Sequence, residues 1–344
     1  MKPLENLKQV NELKVDPNSR FFSAQHDEIT GGMTTDIYFI KTREILEHLD
    51  LGNTPVTAEI FARKSGVLVG VEEVKRLLES TGVEVWSLKE GQSFSPNEVV
   101  MRIRGPYNNF GFYETVLLGM LASSSGWATR AREAKQAAGD KPIFCFGARH
   151  VHPAVAPVME RAAMLGGADG ASCILGAKLL GREPAGTVPH AVFLLVGDTV
   201  KVAQAYDELM PPQALRLVLV DTFKDEVEES LRVADALGER LEGIRLDTPS
   251  ERGGVTTGLV NEVRLRLDAA GFNKVKIFVS GGLVPDRIQL LSAAGADAFG
   301  VGSFISAAPP IDMTMDIKEV GGKPIAKRGR IPGIAENQRL EKLL

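Results

Sequence analysis

Two stretches near the end of the chain decide its fold: Val275-Lys276-Ile277-Phe278-Val279-Ser280-Gly281-Gly282 and Ala298-Phe299-Gly300-Val301-Gly302-Ser303. Residues 275–279 and 298–301 are short apolar runs, each leading into a glycine turn, and residues 286–293 between them carry apolar positions at helical spacing. Runs of this length bounded by turn residues read as buried strands. The same rhythm recurs back to Lys141. Residues 142–146, 170–174, 188–195, 215–220 and 243–246 read as strands, and residues 154–165, 225–237 and 259–270 as helices. About seven strands alternating with helices predict a parallel sheet closed as an α/β barrel, whose chemistry collects at the carboxyl ends of the strands.

Upstream of residue 125 the pattern differs. Residues 57–62 and 99–104 read as strands and residues 71–80 as a helix, separated by Glu90-Gly91-Gln92 and Ser95-Pro96-Asn97. Residues 110–121 have helical spacing; Ser123-Ser124-Ser125-Gly126 reads as a break before a second helix running to residue 138. The expectation is an α+β domain over residues 1–125, a barrel over 126–310, and a short basic tail, 311–344, that packs back on the first domain.

With 344 residues, 44% of them hydrophobic and 24% charged, the chain suits two globular domains. A formal charge of −4 gives no general attraction to nucleic acid. Cys145 and Cys173 sit in apolar runs, which favours reduced thiols over a disulfide or a zinc site. The start Met1-Lys2-Pro3-Leu4-Glu5 is too polar for a signal peptide, and no apolar run spans a bilayer, so the cytoplasm is the expected location.

The strand ends carry the candidate chemistry. They are Phe146-Gly147-Ala148-Arg149-His150, Thr187 with His190, Asp221-Thr222-Phe223-Lys224, Arg245-Leu246-Asp247-Thr248, Ser280-Gly281-Gly282 and Gly300-Val301-Gly302-Ser303. Taken alone, each reads equally well as a loop charge, an N-cap or a turn glycine. Glycines that let backbone N–H groups approach an anion make the last two a phosphate grip, with Ser280, Gly281, Gly282, Gly300, Gly302 and Ser303 as its members. Asp221 and Asp247 suit ribose hydroxyls or Mg²⁺ held through water. Arg149 and Arg245 suit phosphate or carboxylate. His190 has the pKa range of a base, a phosphate acceptor or a metal ligand, and no second ligand keeps a metal-binding spacing with it.

Phe146-Gly147-Ala148-Arg149, Gly186-Thr187-Val188-Pro189-His190, Asp221-Thr222-Phe223, Arg245-Leu246-Asp247-Thr248, Gly300-Val301-Gly302-Ser303 and the early Thr35-Asp36-Ile37-Tyr38 together resemble nicotinate phosphoribosyltransferase, in order, from about residue 30 to 310. The resemblance implies an irregular seven-stranded α/β barrel with an N-terminal α+β domain, working as a homodimer or higher oligomer with composite sites. It also implies joining of nicotinate to 5-phosphoribosyl 1-pyrophosphate, giving nicotinate mononucleotide and pyrophosphate in NAD salvage. ATP hydrolysis drives that family's reaction as in a ligase, through a phosphohistidine that falls at His190. Tyr38 from the partner and Phe146 sandwich the pyridine ring, and Arg245 and Thr187 take its carboxylate. Arg149 meets phosphate or pyrophosphate, Asp221 and Asp247 orient ribose and Mg²⁺, and the glycine turns receive the 5′-phosphate.

Quinolinate phosphoribosyltransferase is the alternative within the fold, since residues 114–129 resemble its corresponding helix. Its Thr-Arg-Lys-Thr stretch is absent here, where Phe146-Gly147-Ala148-Arg149 stands. The acid that favours the amide in nicotinamide relatives is also absent, since Ala177-Lys178 follow Gly176. A four-cysteine zinc knuckle is impossible with two cysteines. A non-catalytic phosphate-binding barrel is the alternative from another class.

Overall fold

The computed structural model describes residues 3–16, 21–212 and 214–344, so Met1 and Lys2 of the polar start lie outside the described residues. The chain divides into two compact units, one running to Ala128 and resuming at Pro309–Leu344, the other Thr129–Ala308. In the first unit the helices Leu7–Glu12, His26–Thr30 and Ile37–His48 precede the strands β1 (Pro55–Ala62), β2 (Gly66–Val67), β3 (Glu84–Ser87), β4 (Ser93–Phe94) and β5 (Val99–Pro106). The second holds β6 (Ile143–Cys145), β7 (Gly170–Ala171), β8 (Leu217–Leu219), β9 (Gly243–Leu246), β10 (Lys276–Ser280) and β11 (Ala298–Val301). The chain then returns to the first unit as β12 (Met313–Val320), β13 (Lys323–Pro324) and β14 (Glu341–Lys342).

In the first unit the main sheet runs β13-β12-β1-β5-β3-β14. β1 is its seam, antiparallel to β12 on one side and to β5 on the other. Ala58, Ile60, Met101, Ile103 and Val85 are fully buried there. Helix Val71–Leu78 contributes Val71, Val74, Leu77 and Leu78, an i, i+3, i+6, i+7 stripe that buries one face. Gly70, with φ +102°, starts that helix, and the Met120 carbonyl oxygen lies 2.7 Å from where a Cβ would stand. The returning tail is tied by Glu59, whose carboxylate accepts from Arg102 Nε at 2.9 Å and from the Ala335 N–H at 3.1 Å.

One 25-residue helix, Glu114–Ala138, runs through the predicted break at Ser123-Ser124-Ser125-Gly126. Ser124 and Ser125 are buried, and Ser125 Oγ accepts the Val69 N–H at 3.1 Å. Gly126 sits where the Pro309 carbonyl oxygen comes within 2.4 Å of a Cβ position, so a close approach and not a turn explains the small residues.

In the second unit all pairings are parallel and the order is β7-β6-β11-β10-β9-β8. Helices Ala156–Gly166, Glu226–Leu237, Thr257–Ala269 and Pro285–Ala293 follow strands as expected. Asp225 and Thr256 cap two of them by accepting N–H bonds from Val227 and Leu259. β9 and β11 keep the boundaries read from sequence, whereas Ile174 already starts a helix and shortens β7 to two residues.

The predicted strand at 188–195 is instead the helix His190–Val196. Only Phe193 of its apolar run is buried, while Leu194 and Leu195 are 64% and 87% exposed. Pro189 pre-sets the entry and Gly197, at φ +81°, closes the exit, a helix signature that a short apolar run conceals.

Arg216, just before β8, fixes where that strand begins. Its guanidinium bonds Asp207 Oδ1 at 3.0 Å and the carbonyls of Pro211, Ala214, Asp207 and Met210, closing the end of helix Thr199–Leu209. Arg216→Met removes all of these bonds at a buried site and is expected to cost about 3 kcal/mol. The urea midpoint at neutral pH reads this directly; an unchanged midpoint would show that water replaces the guanidinium without loss.

Candidate active site

Parallel strands end on the same side, so the residues just past β6, β8, β9, β10 and β11 come together. Arg245 lies between the fully buried Ile244 and Leu246, and strand alternation turns its side chain to the opposite face. There its Nε donates to Ser280 Oγ at 2.9 Å, NH1 to Thr187 Oγ1 at 3.0 Å and NH2 to Asp247 Oδ2 at 3.2 Å. The guanidinium also lies over the Phe146 ring, 5.2 Å from its centroid. Burial lowers the Arg245 pKa, Arg149 adds to this, and Asp247 and Asp221 oppose it. A guanidinium stays charged through such a shift.

The Ser280 hydroxyl, predicted to face phosphate, is buried and donates to Asp247 Oδ1 at 2.8 Å. Its side chain therefore joins Arg245 to Asp247. Gly281 and Gly282 take φ +93° and +61°, and a Cβ on Gly281 would stand 3.1 Å from Asp247 Oδ1. This turn is open to solvent, with Arg287 of the next helix alongside; that guanidinium bonds the Val255 carbonyl at 2.9 Å. Arg287 escaped the sequence reading because it stands on the helix after the glycine turn.

Gly300 makes room for Phe146, whose ring carbon lies 2.6 Å from the Cβ position, and Phe146 stacks on Phe278 at 5.9 Å. Gly302 does the same for His150, which bonds Ser306 Oγ through Nδ1 at 3.0 Å. Ser303 begins the short helix Ser303–Ser306.

His190, the first residue of its helix, places Nε2 3.1 Å from Asp221 Oδ1. The imidazole is 40% exposed and the aspartate side chain 0%. With Nε2–H donated to the carboxylate, Nδ1 keeps its lone pair. Burial raises the Asp221 pKa, partly offset by His190. Asp221 Oδ2 and Thr222 Oγ1 are buried with no partner among the described residues.

Two buried carboxylates that the sequence reading passed over support these loops. Glu226 accepts from Thr248 Oγ1 at 2.8 Å, and Glu160 binds the loops after β6 and β7.

Tyr38 belongs to the first unit, half exposed in the helix Ile37–His48, its ring 4.3 Å from that of Phe39. It lines a cavity of 410 Å³ with Asp36, Glu114 and Thr115. Thr115 Oγ1 donates to Asp36 Oδ2 at 2.8 Å, which fixes the start of the Tyr38 helix. Burial, aided by Asp316, pushes the Glu114 carboxyl up to about 7.

These features meet a known family. Its model for the quinolinate phosphoribosyl transferase N-terminal domain matches residues 36–125, and the C-terminal domain model matches residues 127–316. The chain belongs to the quinolinate phosphoribosyl transferase family. It is 32% identical over 247 residues to nicotinate phosphoribosyltransferase pncB2 of Mycobacterium tuberculosis, covering 70% of this chain and 52% of that one. The chain thus spans about half the length of the curated relatives it matches first. The crystal structure of nicotinate-nucleotide pyrophosphorylase from Pyrococcus furiosus aligns with a TM-score of 0.87 at 48% identity, over 92% of this chain and 82% of that chain. Human nicotinic acid phosphoribosyltransferase shares the fold, with a TM-score of 0.69 at 19% identity over 87% and 77% of the two chains. Among the described residues no helix is long and apolar enough to cross a membrane.

The Asp221 shift has a stability consequence. A carboxyl whose pKa is raised on folding binds its proton more tightly in the native chain, so it subtracts stability once pH rises above its unfolded value. Asp221→Asn is therefore expected to melt above wild type near pH 7, with the gap closing in acid. Melting curves across pH test this, and a gap that persists at low pH would show that ionisation is not its source.

Proposed function

We propose that this protein is a nicotinate phosphoribosyltransferase, forming nicotinate mononucleotide from nicotinate and 5-phosphoribosyl 1-pyrophosphate with ATP as co-substrate. The observation that carries this reading is the His190–Asp221 pair, an accessible imidazole held by a buried carboxylate at Nε2 with Nδ1 left open. That is the arrangement a phosphoryl acceptor needs. A bond from Nδ1 to the γ-phosphorus of ATP would form as the bond to the bridging oxygen breaks and ADP leaves. Water would later return the imidazole.

For transfer to the pyridine, the ring stacks on Phe146 and its carboxylate meets Arg245 and Thr187, which already share a hydrogen bond. The ring nitrogen attacks the anomeric carbon while the carbon–oxygen bond to pyrophosphate breaks, its electron pair leaving with pyrophosphate. Asp247 and Asp221 offset the positive charge on the ribose, and Arg149 the negative charge on the leaving group. The turn at Gly281 and Gly282, with Gly302 and Ser303, takes the 5′-phosphate. Tyr38 of the partner subunit closes the other face of the ring in a homodimer.

Among the described residues no cluster of three or more His, Cys, Asp or Glu side chains could cage a metal. The unpartnered Asp221 Oδ2 fits a water of a Mg²⁺ ion carried by the pyrophosphate. Such an ion would neutralise charge on the leaving group.

A second reading, quinolinate as the acceptor, is favoured by the name of the Pyrococcus furiosus structure at 48% identity. Labelled nicotinate, nicotinamide and quinolinate, each offered with 5-phosphoribosyl 1-pyrophosphate with and without ATP, separate the readings. Nicotinate turnover stimulated by ATP is expected; quinolinate turnover with CO₂ release and none of nicotinate would overturn the first. No turnover of any acceptor would leave a phosphate-binding barrel.

Two variants test the residues. His190→Ala is expected to lose ATP stimulation while melting as a folded protein; stimulation equal to wild type would remove the phosphohistidine. Tyr38→Ala is expected to raise the nicotinate KM about tenfold with little change for 5-phosphoribosyl 1-pyrophosphate. An unmoved nicotinate KM takes Tyr38 out of the ring site.

A further inference from the structure

Glu160 projects from the helix Ala156–Gly166 and is completely buried. No cation pairs with it among the described residues. Its partners are donors from two loops instead. Oε1 accepts the Ala148 N–H at 3.2 Å and the Ser172 hydroxyl at 3.0 Å, and Oε2 accepts the Cys173 N–H at 2.5 Å. Ala148 follows β6, and Ser172 and Cys173 follow β7, so one carboxylate ties together the ends of two neighbouring parallel strands. Gly176 lets the next helix come this near, with the Glu160 Cβ 3.2 Å from where its own Cβ would be.

Arg149 is the residue after Ala148. Its exposed side chain makes no hydrogen bond or ion pair among the described residues, so its position is set by its backbone. The Ala148 N–H bond to Glu160 and the His150 N–H bond to the Gly147 carbonyl at 2.9 Å hold that backbone. We propose that Glu160 is a positioning residue, whose carboxylate fixes the loop after β6 so that Arg149 meets the pyrophosphate of 5-phosphoribosyl 1-pyrophosphate.

The proposal rests on the role given to Arg149 above. A carboxylate suits this place because every group facing it donates. An amide would turn an N–H toward either Cys173 or the Ala148–Ser172 pair, leaving donor against donor.

The test combines calorimetric titration with 5-phosphoribosyl 1-pyrophosphate, steady-state kinetics and amide hydrogen exchange. Glu160→Gln is expected to weaken that ligand about tenfold, leave the nicotinate KM within about twofold, and speed exchange at the Ala148 and Cys173 amides. Ser172→Ala keeps the carboxylate and removes one donor, so a rise of about twofold in the same dissociation constant is expected even if Glu160→Gln does not fold. Combined with Arg149→Ala, Glu160→Gln is expected to add little. A factor that persists in full without Arg149, or equal losses for both substrates, would show a merely structural role and overturn the proposal. Unchanged affinity in Arg149→Ala overturns the role of Arg149 and this proposal with it. If wild type binds no 5-phosphoribosyl 1-pyrophosphate, the functional reading fails; unchanged exchange at Ala148 and Cys173 in Glu160→Gln separately refutes the clamp.

Discussion

The interaction on which the site depends is the enclosure of one guanidinium. Arg245 is drawn into the end of a parallel sheet, where desolvation opposes its charge. The surrounding groups make that charge tolerable: Asp247 pairs with it, Ser280 and Thr187 accept from it, and the Phe146 ring faces it. Each of these groups comes from a different strand end or loop. Their positions are thereby locked to one another, and Ser280, by also donating to Asp247, keeps the acid from turning away. Gly300 belongs to the same constraint, because only a residue without a Cβ lets the Phe146 ring lie that close. A preformed cation beside an aromatic face suits the flat anionic ring proposed as substrate.

The His190–Asp221 pair works by a different balance. Here the buried partner is the acid and the accessible one the base. Asp221 retains an oxygen with no donor among the described residues, a cost to folding of the kind concentrated at functional sites. The stability lost at Asp221 and the chemistry proposed for His190 thus have a common origin.

Much of this was legible in the chain because strands of a parallel sheet end in characteristic residues. β9 and β11 kept the boundaries read from their apolar runs, and the helices read over 225–237 and 259–270 begin within two residues of that reading. Phe146, Thr187, Arg245, Asp247 and Ser280 were chosen as strand-end residues and do meet in space. The failures share a cause. The run at 188–195 has the composition of a strand, and only Pro189 and Gly197 tell it from one. The serines before Gly126 look like a linker because the sequence does not show the backbone that packs against them. Glu160 and Arg216 were invisible because most of their partners are main-chain groups, which every residue type supplies alike.

The pairing of β1 with β12 has a consequence for how the chain matures. Val56 lies opposite Val320, and Ala62 opposite Met313, so one edge of the seam strand stays bare until the chain has been made out to residue 320. All the parallel strands are made before that partner emerges. Synthesis therefore runs against the numbering. The unit that begins first is finished last, and until then an open edge rich in apolar residues must be kept from other chains.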